Sequence, residues 1–148
     1  MPGRDPHTDL EEAVAELNGG ALPGEVPRRW ERFSDVVILP RGSFEGPGWQ
    51  PDQRLWEAVG RSLGAGRVAR MGEVTGEFRE SGVEMLLGED DWVVRRESGV
   101  DYGYPMTRCM FSAGNVNERR RMGEVAGEGE VIVDLYAGIG YYTLPALV

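Results

Sequence analysis

Residues 130–140 read EVIVDLYAGIG. Val131, Ile132 and Val133 form a short apolar run of the length of a buried strand. The run ends at Asp134. Gly138 and Gly140 then make a Gly-x-Gly turn ahead of residues 141–148, which look like the start of a helix. An apolar strand, an acid and a glycine turn in this order form a nucleotide-type loop at the carboxyl end of a parallel strand. The two glycines lack Cβ atoms, accept positive φ and let a ligand lie against the backbone. Asp134 stands where a carboxylate can fix the loop or meet a cationic or hydroxyl group. The third glycine of the dinucleotide fingerprint is missing, with Thr143 in its place, which argues against a pyrophosphate at the helix N-terminus.

Outward from this loop, Asn115 and Glu118 have capping-box spacing and predict a helix start, weakened later by Gly123 and Gly127. Further upstream, residues 34–39 (SDVVIL) read as a buried strand. Pro40 to Pro51 is a turn-rich loop, and Asp52 caps a helix whose inner face is Leu55, Val59 and Leu63. Residues 67–71, 83–87, 92–96 and 106–111 are predicted strands, with GEDD at 88–91 as a hairpin turn between the second and third. Near the N-terminus, Thr8 and Glu11 predict a capping box, and residues 1–7, including His7, are expected to be loose. Three segments follow: an N-terminal helix and linker (1–24), a small α/β domain (25–111) and the start of a cofactor domain (112–148).

The chain has 148 residues and a net charge of −9, and all sixteen basic residues are arginine. Such an acidic balance is unlike that of a general nucleic-acid binder, so RNA contact needs local clusters. Arg28, Arg29 and Arg32, the pair Arg67 and Arg70, the pair Arg95 and Arg96, and the run Arg119 to Arg121 are the candidates. Cys109 is the only cysteine, so no internal disulfide can form. No stretch approaches the roughly 20 apolar residues of a membrane span, and a cytoplasmic protein is expected.

The spacing D-x-x-x-G-x-G is similar to motif I of class I S-adenosylmethionine enzymes. Residues 109–148, from CMFSAGN through VDLYAGIGYYTLP, resemble the tRNA wybutosine-synthesizing protein 2 family. RWERFSDVVIL, SGVEMLLG and DWVVRRESGVDYGY resemble that family's middle domain, so the likeness covers residues 28–148. It implies a mixed-sheet α/β domain followed by the first strand and glycine loop of a class I S-adenosylmethionine-binding, Rossmann-like domain. The chain is expected to end inside that domain.

The resemblance further implies transfer of the 3-amino-3-carboxypropyl group of S-adenosylmethionine to the tricyclic wyosine-precursor base of tRNA-Phe. Its implied cofactor contacts are Ser112, Arg119, Asp134, Tyr136, Ala137, Gly138 and Gly140, with no metal. Arg119 stands where the family usually has lysine, so a planar fork replaces a point charge. Tyr102, Tyr104 and Phe111 are expected in the core, and Cys109 as a small buried hydrophobe. One alternative is the sister tRNA guanine N1-methyltransferase family, which usually has phenylalanine and proline where Tyr136 and Tyr141 stand here. The other is a fragment without turnover that binds S-adenosylmethionine weakly or not at all.

Overall fold

The computed structural model describes residues 3–74, 76 and 81–148. Helix α1 spans Pro6–Leu17, strands β1 and β2 Glu31–Phe33 and Val36–Leu39, helix α2 Gln53–Ser62, and strand β3 Arg67–Arg70. Strands β4, β5 and β6 follow at Glu84–Leu87, Trp92–Glu97 and Val100–Pro105. Helices α3, Val116–Val125, and α4, Thr143–Leu147, complete the order.

Strands β1 to β4 form one sheet in sequence order, with β2 and β3 parallel and both outer pairings antiparallel. The parallel step is the crossover through α2, as parallel neighbours require. All four residues of β2 are buried, because the sheet is covered on both sides. Val37 and Leu39 face a core built with Leu10 and Val14 of α1 and Leu55, Trp56, Val59 and Leu63 of the second helix segment. Val36 and Ile38 face the opposite way, onto Val93, Tyr104 and Met106. The molecule is thus layered as helices, sheet and hairpin.

The predicted helix after Asp52 is present, and Asp52 accepts from the Leu55 N–H at 3.1 Å. Within it, an added Cβ at Gly60 would fall 2.9 Å from the Ala65 carbonyl oxygen, so the return to β3 depends on glycine there. Helix α1 begins earlier than Thr8. Pro6 sits in the first turn, where its missing N–H costs nothing, and Asp5 caps by accepting from the His7 N–H. His7 is therefore not in a loose end: it is buried, its Nε2 3.4 Å from the Val26 carbonyl oxygen.

Two strand expectations are corrected. The GEDD stretch does not close a hairpin, because β4 pairs with β3 while β5 pairs with β6. The hairpin turn is Ser98-Gly99, both at positive φ (50° and 80°), the geometry that two-residue hairpin loops favour. The last strand is residues 100–105, not 106–111: Val100, Tyr102 and Tyr104 alternate inward with Asp101 and Gly103 outward. Arg67 ties this hairpin to the sheet. It pairs with Asp35 at 2.7 Å and donates to the Asp90 and Trp92 carbonyls at 2.7 and 2.9 Å.

The predicted strand at Val131–Val133 is not formed. Among the described residues nothing pairs with it, and Val131 and Val133 are 90% and 77% exposed. A parallel strand is held by ladder neighbours and by cover on both faces, and this segment has neither.

Candidate functional site

The site is built where residues 110–119 meet the glycine loop. Arg119, on the first turns of α3, is its centre and is only 3% exposed. A buried cation needs a partner. Glu97, the last residue of β5, supplies both carboxylate oxygens, at 2.6 Å to Nε and 2.7 Å to Nη2. Nη1 donates to the Gly114 carbonyl at 2.6 Å. The guanidinium lies 5.4 Å from the Phe111 ring centre and 5.3 Å from that of Tyr141, within cation–π range.

This bidentate pairing sets the charge states. The Arg119 guanidinium holds the Glu97 carboxyl below its usual range, and Glu97 in turn raises Arg119. Burial, with the Glu97 charge adding to it, pushes the Tyr102 phenol up. The neutral Tyr102 hydroxyl donates to the Tyr141 carbonyl at 3.3 Å.

Tyr141 joins the two halves of the site. Its hydroxyl donates to the Met110 carbonyl at 2.6 Å and accepts from the Ser112 N–H at 2.9 Å. The Ser112 side chain is exposed, and its hydroxyl makes no hydrogen bond among the described residues. Asp134 accepts from the Thr143 hydroxyl at 2.6 Å through one oxygen. That bond closes the glycine loop over its own helix start.

Within the loop, Tyr136, Gly138 and Gly140 all have positive φ, at 62°, 60° and 90°. Gly140 donates to the Ala137 carbonyl at 3.0 Å. An added Cβ at Gly140 would fall 2.9 Å from Leu144 Cγ, so glycine there is a packing and backbone requirement. At Gly138 the nearest atom to an added Cβ is the Tyr141 ring at 3.8 Å, which leaves that face of the bend open to a ligand. The Tyr136 side chain is fully exposed. An open bend, a free serine hydroxyl and a half-spent carboxylate suit a polar cofactor lying along the backbone.

The structure thus brings Ser112, Arg119 and the glycine loop together through Tyr141. It gives Arg119 a different occupation from the one expected, because Nε and one N–H of each terminal nitrogen are spent on Glu97 and Gly114. Glu97 and Tyr141 were not among the expected site residues. Glu97 stands 22 positions from Arg119, and no motif links them. For Tyr141 the available signal was its place directly after Gly140. Tyr102 and Tyr104 are buried as expected, and Cys109 is partly buried against the hairpin-side core.

Of the arginine clusters only the Arg67 and Arg70 pair is turned inward; Arg28, Arg29, Arg32, Arg96, Arg120 and Arg121 are exposed. Arg67 and Arg70 are paired with Asp35 and with Glu45 and Glu84. Arg121 pairs with Glu118 at 2.6 Å and Arg96 with Asp101 at 3.7 Å. A cavity of about 220 Å³ opens beside the Glu97–Arg119 pair, between the hairpin, α3 and α4. A wider cleft of about 490 Å³ lies elsewhere, between residues 22–28 and 40–43, and contains none of the expected site residues.

Two family models match consecutive stretches. The TYW2 N-terminal domain matches residues 10–91, and the TRM5/TYW2 methyltransferase domain matches residues 93–148. The tRNA wybutosine-synthesizing protein 2/3/4 of Arabidopsis thaliana is 48% identical over 129 residues, 86% of this chain and 13% of that protein. The tRNA wybutosine-synthesizing protein 2 homolog of Bos taurus is 43% identical over 129 residues, 86% of this chain and 30% of that protein. A crystal structure of Pyrococcus horikoshii TYW2 in complex with MeSAdo superposes with a TM-score of 0.60 at 33% identity, covering 91% of this chain and 48% of that one. The chain spans well under half the length of these curated relatives. On these matches the chain belongs to the tRNA wybutosine-synthesizing protein 2 (TYW2) family.

Proposed function

We propose that this chain carries the N-terminal domain and the cofactor-loop segment of a tRNA aminocarboxypropyl transferase. The reaction moves the 3-amino-3-carboxypropyl group of S-adenosylmethionine to the tricyclic wyosine-precursor base of tRNA-Phe, in the cytoplasm. The observation that carries the reading is the open bend at Gly138, held against Ser112 by Tyr141 in a chain of this family. The MeSAdo complex of the Pyrococcus horikoshii relative supports an adenosyl ligand for the same fold.

In this reading the backbone at Ala137, Gly138 and Gly140 receives the ligand, with Tyr136 beside it. The Ser112 hydroxyl supplies a hydrogen bond to a polar cofactor group. Asp134 keeps the loop closed through Thr143 and leaves one oxygen for a hydroxyl or ammonium. When bound, the sulfonium supplies an activated carbon, and holding it in a fixed orientation selects which carbon faces the base. The segment boundaries 1–24, 25–111 and 112–148 are proposed as the corresponding units. Arg120, exposed on α3 beside Asn117, is proposed as a tRNA phosphate contact.

Mass spectrometry of tRNA nucleosides from cells in which the gene is disrupted tests the reaction. Accumulation of the tricyclic precursor with loss of the later wybutosine series is the expected result. Loss of 1-methylguanosine with no such accumulation would refute it.

A further inference from the structure

Arg119 is the one expected cofactor contact whose surroundings point to another task. Its three nitrogens hold Glu97 and Gly114, its cation sits over Phe111 and Tyr141, and it is buried. The Tyr141 hydroxyl, in turn, is wedged into the backbone between Met110 and Ser112. Tyr141 directly follows Gly140, and its own carbonyl is held by Tyr102. Every step from the hairpin end to the glycine loop is therefore a direct contact: Glu97 to Arg119, Arg119 to the Tyr141 ring, Tyr141 to Ser112.

We infer that Glu97, Arg119 and Tyr141 are positioning residues that set Ser112 against the glycine loop, so that the hairpin governs cofactor affinity without touching the cofactor. This deepens the transferase reading and rests on it for the identity of the ligand. The pairing is well suited to the task. A bidentate guanidinium–carboxylate contact fixes orientation as well as distance, which a lysine in the same place would not do. The Tyr141 hydroxyl fixes one end of the residue and the Tyr102 bond fixes the other. The residue that directly follows the loop is thereby held at two points that belong to the 97–112 region.

The test uses the full 148-residue chain, labelled with ¹⁵N, in four forms: wild type, Tyr141→Phe, Glu97→Gln and Glu118→Gln. The last breaks only the exposed pair with Arg121. Amide exchange at Ser112 is read first. A hydrogen bond of ordinary net strength protects an amide by about five- to tenfold, so Tyr141→Phe is expected to speed Ser112 exchange by about that factor. Glu97→Gln is expected to speed it too, although Glu97 bonds to Arg119 and not to Ser112, and Glu118→Gln to leave it unchanged. Tyr141→Phe removes one oxygen and keeps the ring, so its thermal melt reports whether the fold is intact.

S-adenosylmethionine is then titrated, and the Ser112, Gly138 and Gly140 amides are followed. The expected result is a dissociation constant about five- to tenfold weaker in Tyr141→Phe at an unchanged melt. Ser112 exchange that stays at the wild-type rate in both Tyr141→Phe and Glu97→Gln overturns the positioning role. Wild-type amides that ignore S-adenosylmethionine while the exchange coupling is present leave the positioning role standing and remove the ligand reading at this loop instead.

Discussion

Replacing Glu97 by Gln changes one atom of the molecule and removes the charge that balances Arg119. Arg119 is 3% exposed, so its charge is left largely out of water when the carboxylate is gone. Breaking a buried ion pair from one side costs about 3–5 kcal/mol, because the remaining charge stays desolvated. Gln keeps one acceptor oxygen, so one of the two N–H···O bonds survives, and a bond to a charged group returns about 1.5 kcal/mol. The net cost is about 1.5–3.5 kcal/mol, a large part of the roughly 5–15 kcal/mol that holds a domain of this kind together. At about 2–4 °C per kcal/mol for a chain of this size, the melting temperature falls by about 3–14 °C. Urea unfolding followed by tryptophan fluorescence measures the free energy directly, with Glu118→Gln as the exposed-pair comparison. Coincident unfolding midpoints for Glu97→Gln and Glu118→Gln would refute the reasoning, since the buried pair would then behave as a solvated one. A double replacement, Glu97→Leu with Arg119→Met, is expected to recover part of the loss, because two apolar groups leave no uncompensated charge.

Leu10 is fully buried against α2 and β2, so Leu10→Ala is expected to cost about 2–5 kcal/mol in urea unfolding. A loss under about 1 kcal/mol would mean that α1 does not dock as described. The carboxyls of Asp35 and Glu97 are both held below their ordinary values by Arg67 and Arg119. The unfolded chain therefore takes up protons first, so the stability these pairs add is complete above the ordinary carboxylate range and is lost as pH falls through the depressed values. The urea midpoint is expected to drop between about pH 5 and pH 3, less steeply in Glu97→Gln; identical slopes in the two proteins would contradict it.

What could be read beforehand divides by the range of the interaction. Strand β2 and helix α2 were legible because an apolar run and an i, i+4 stripe are local signals, and Asp52 marks its own helix start. The start of α1 was misplaced because two cap signals overlap, and Asp5 with Pro6 outcompetes Thr8 with Glu11. The β5–β6 hairpin was missed for a similar reason. GEDD is rich in turn-formers, but Ser98-Gly99 has the positive φ angles the turn needs, and the alternation at 100–104 follows from it. The glycine bend was legible as motif, since Gly138 and Gly140 both take the positive φ that their spacing suggests. The Glu97–Arg119 pair was not, since it joins residues 22 apart through tertiary packing alone. Val131–Val133 shows the opposite error. The composition is that of a strand, but an extended segment becomes one only when a neighbouring backbone takes up its hydrogen bonds.

The grip of Arg67 has a mechanical meaning. The two family matches meet at residues 91–93, a place where a flexible joint would be the default. Here one side chain, anchored on Asp35 in the sheet, takes hold of the carbonyl at 90, just before that seam, and of the carbonyl at 92, within it. The joint is a latch. Any swing of the hairpin relative to the sheet must first break the two hydrogen bonds that Arg67 Nη1 makes across the seam or its grip on Asp35, so the angle at which the first half presents the second is written into the fold.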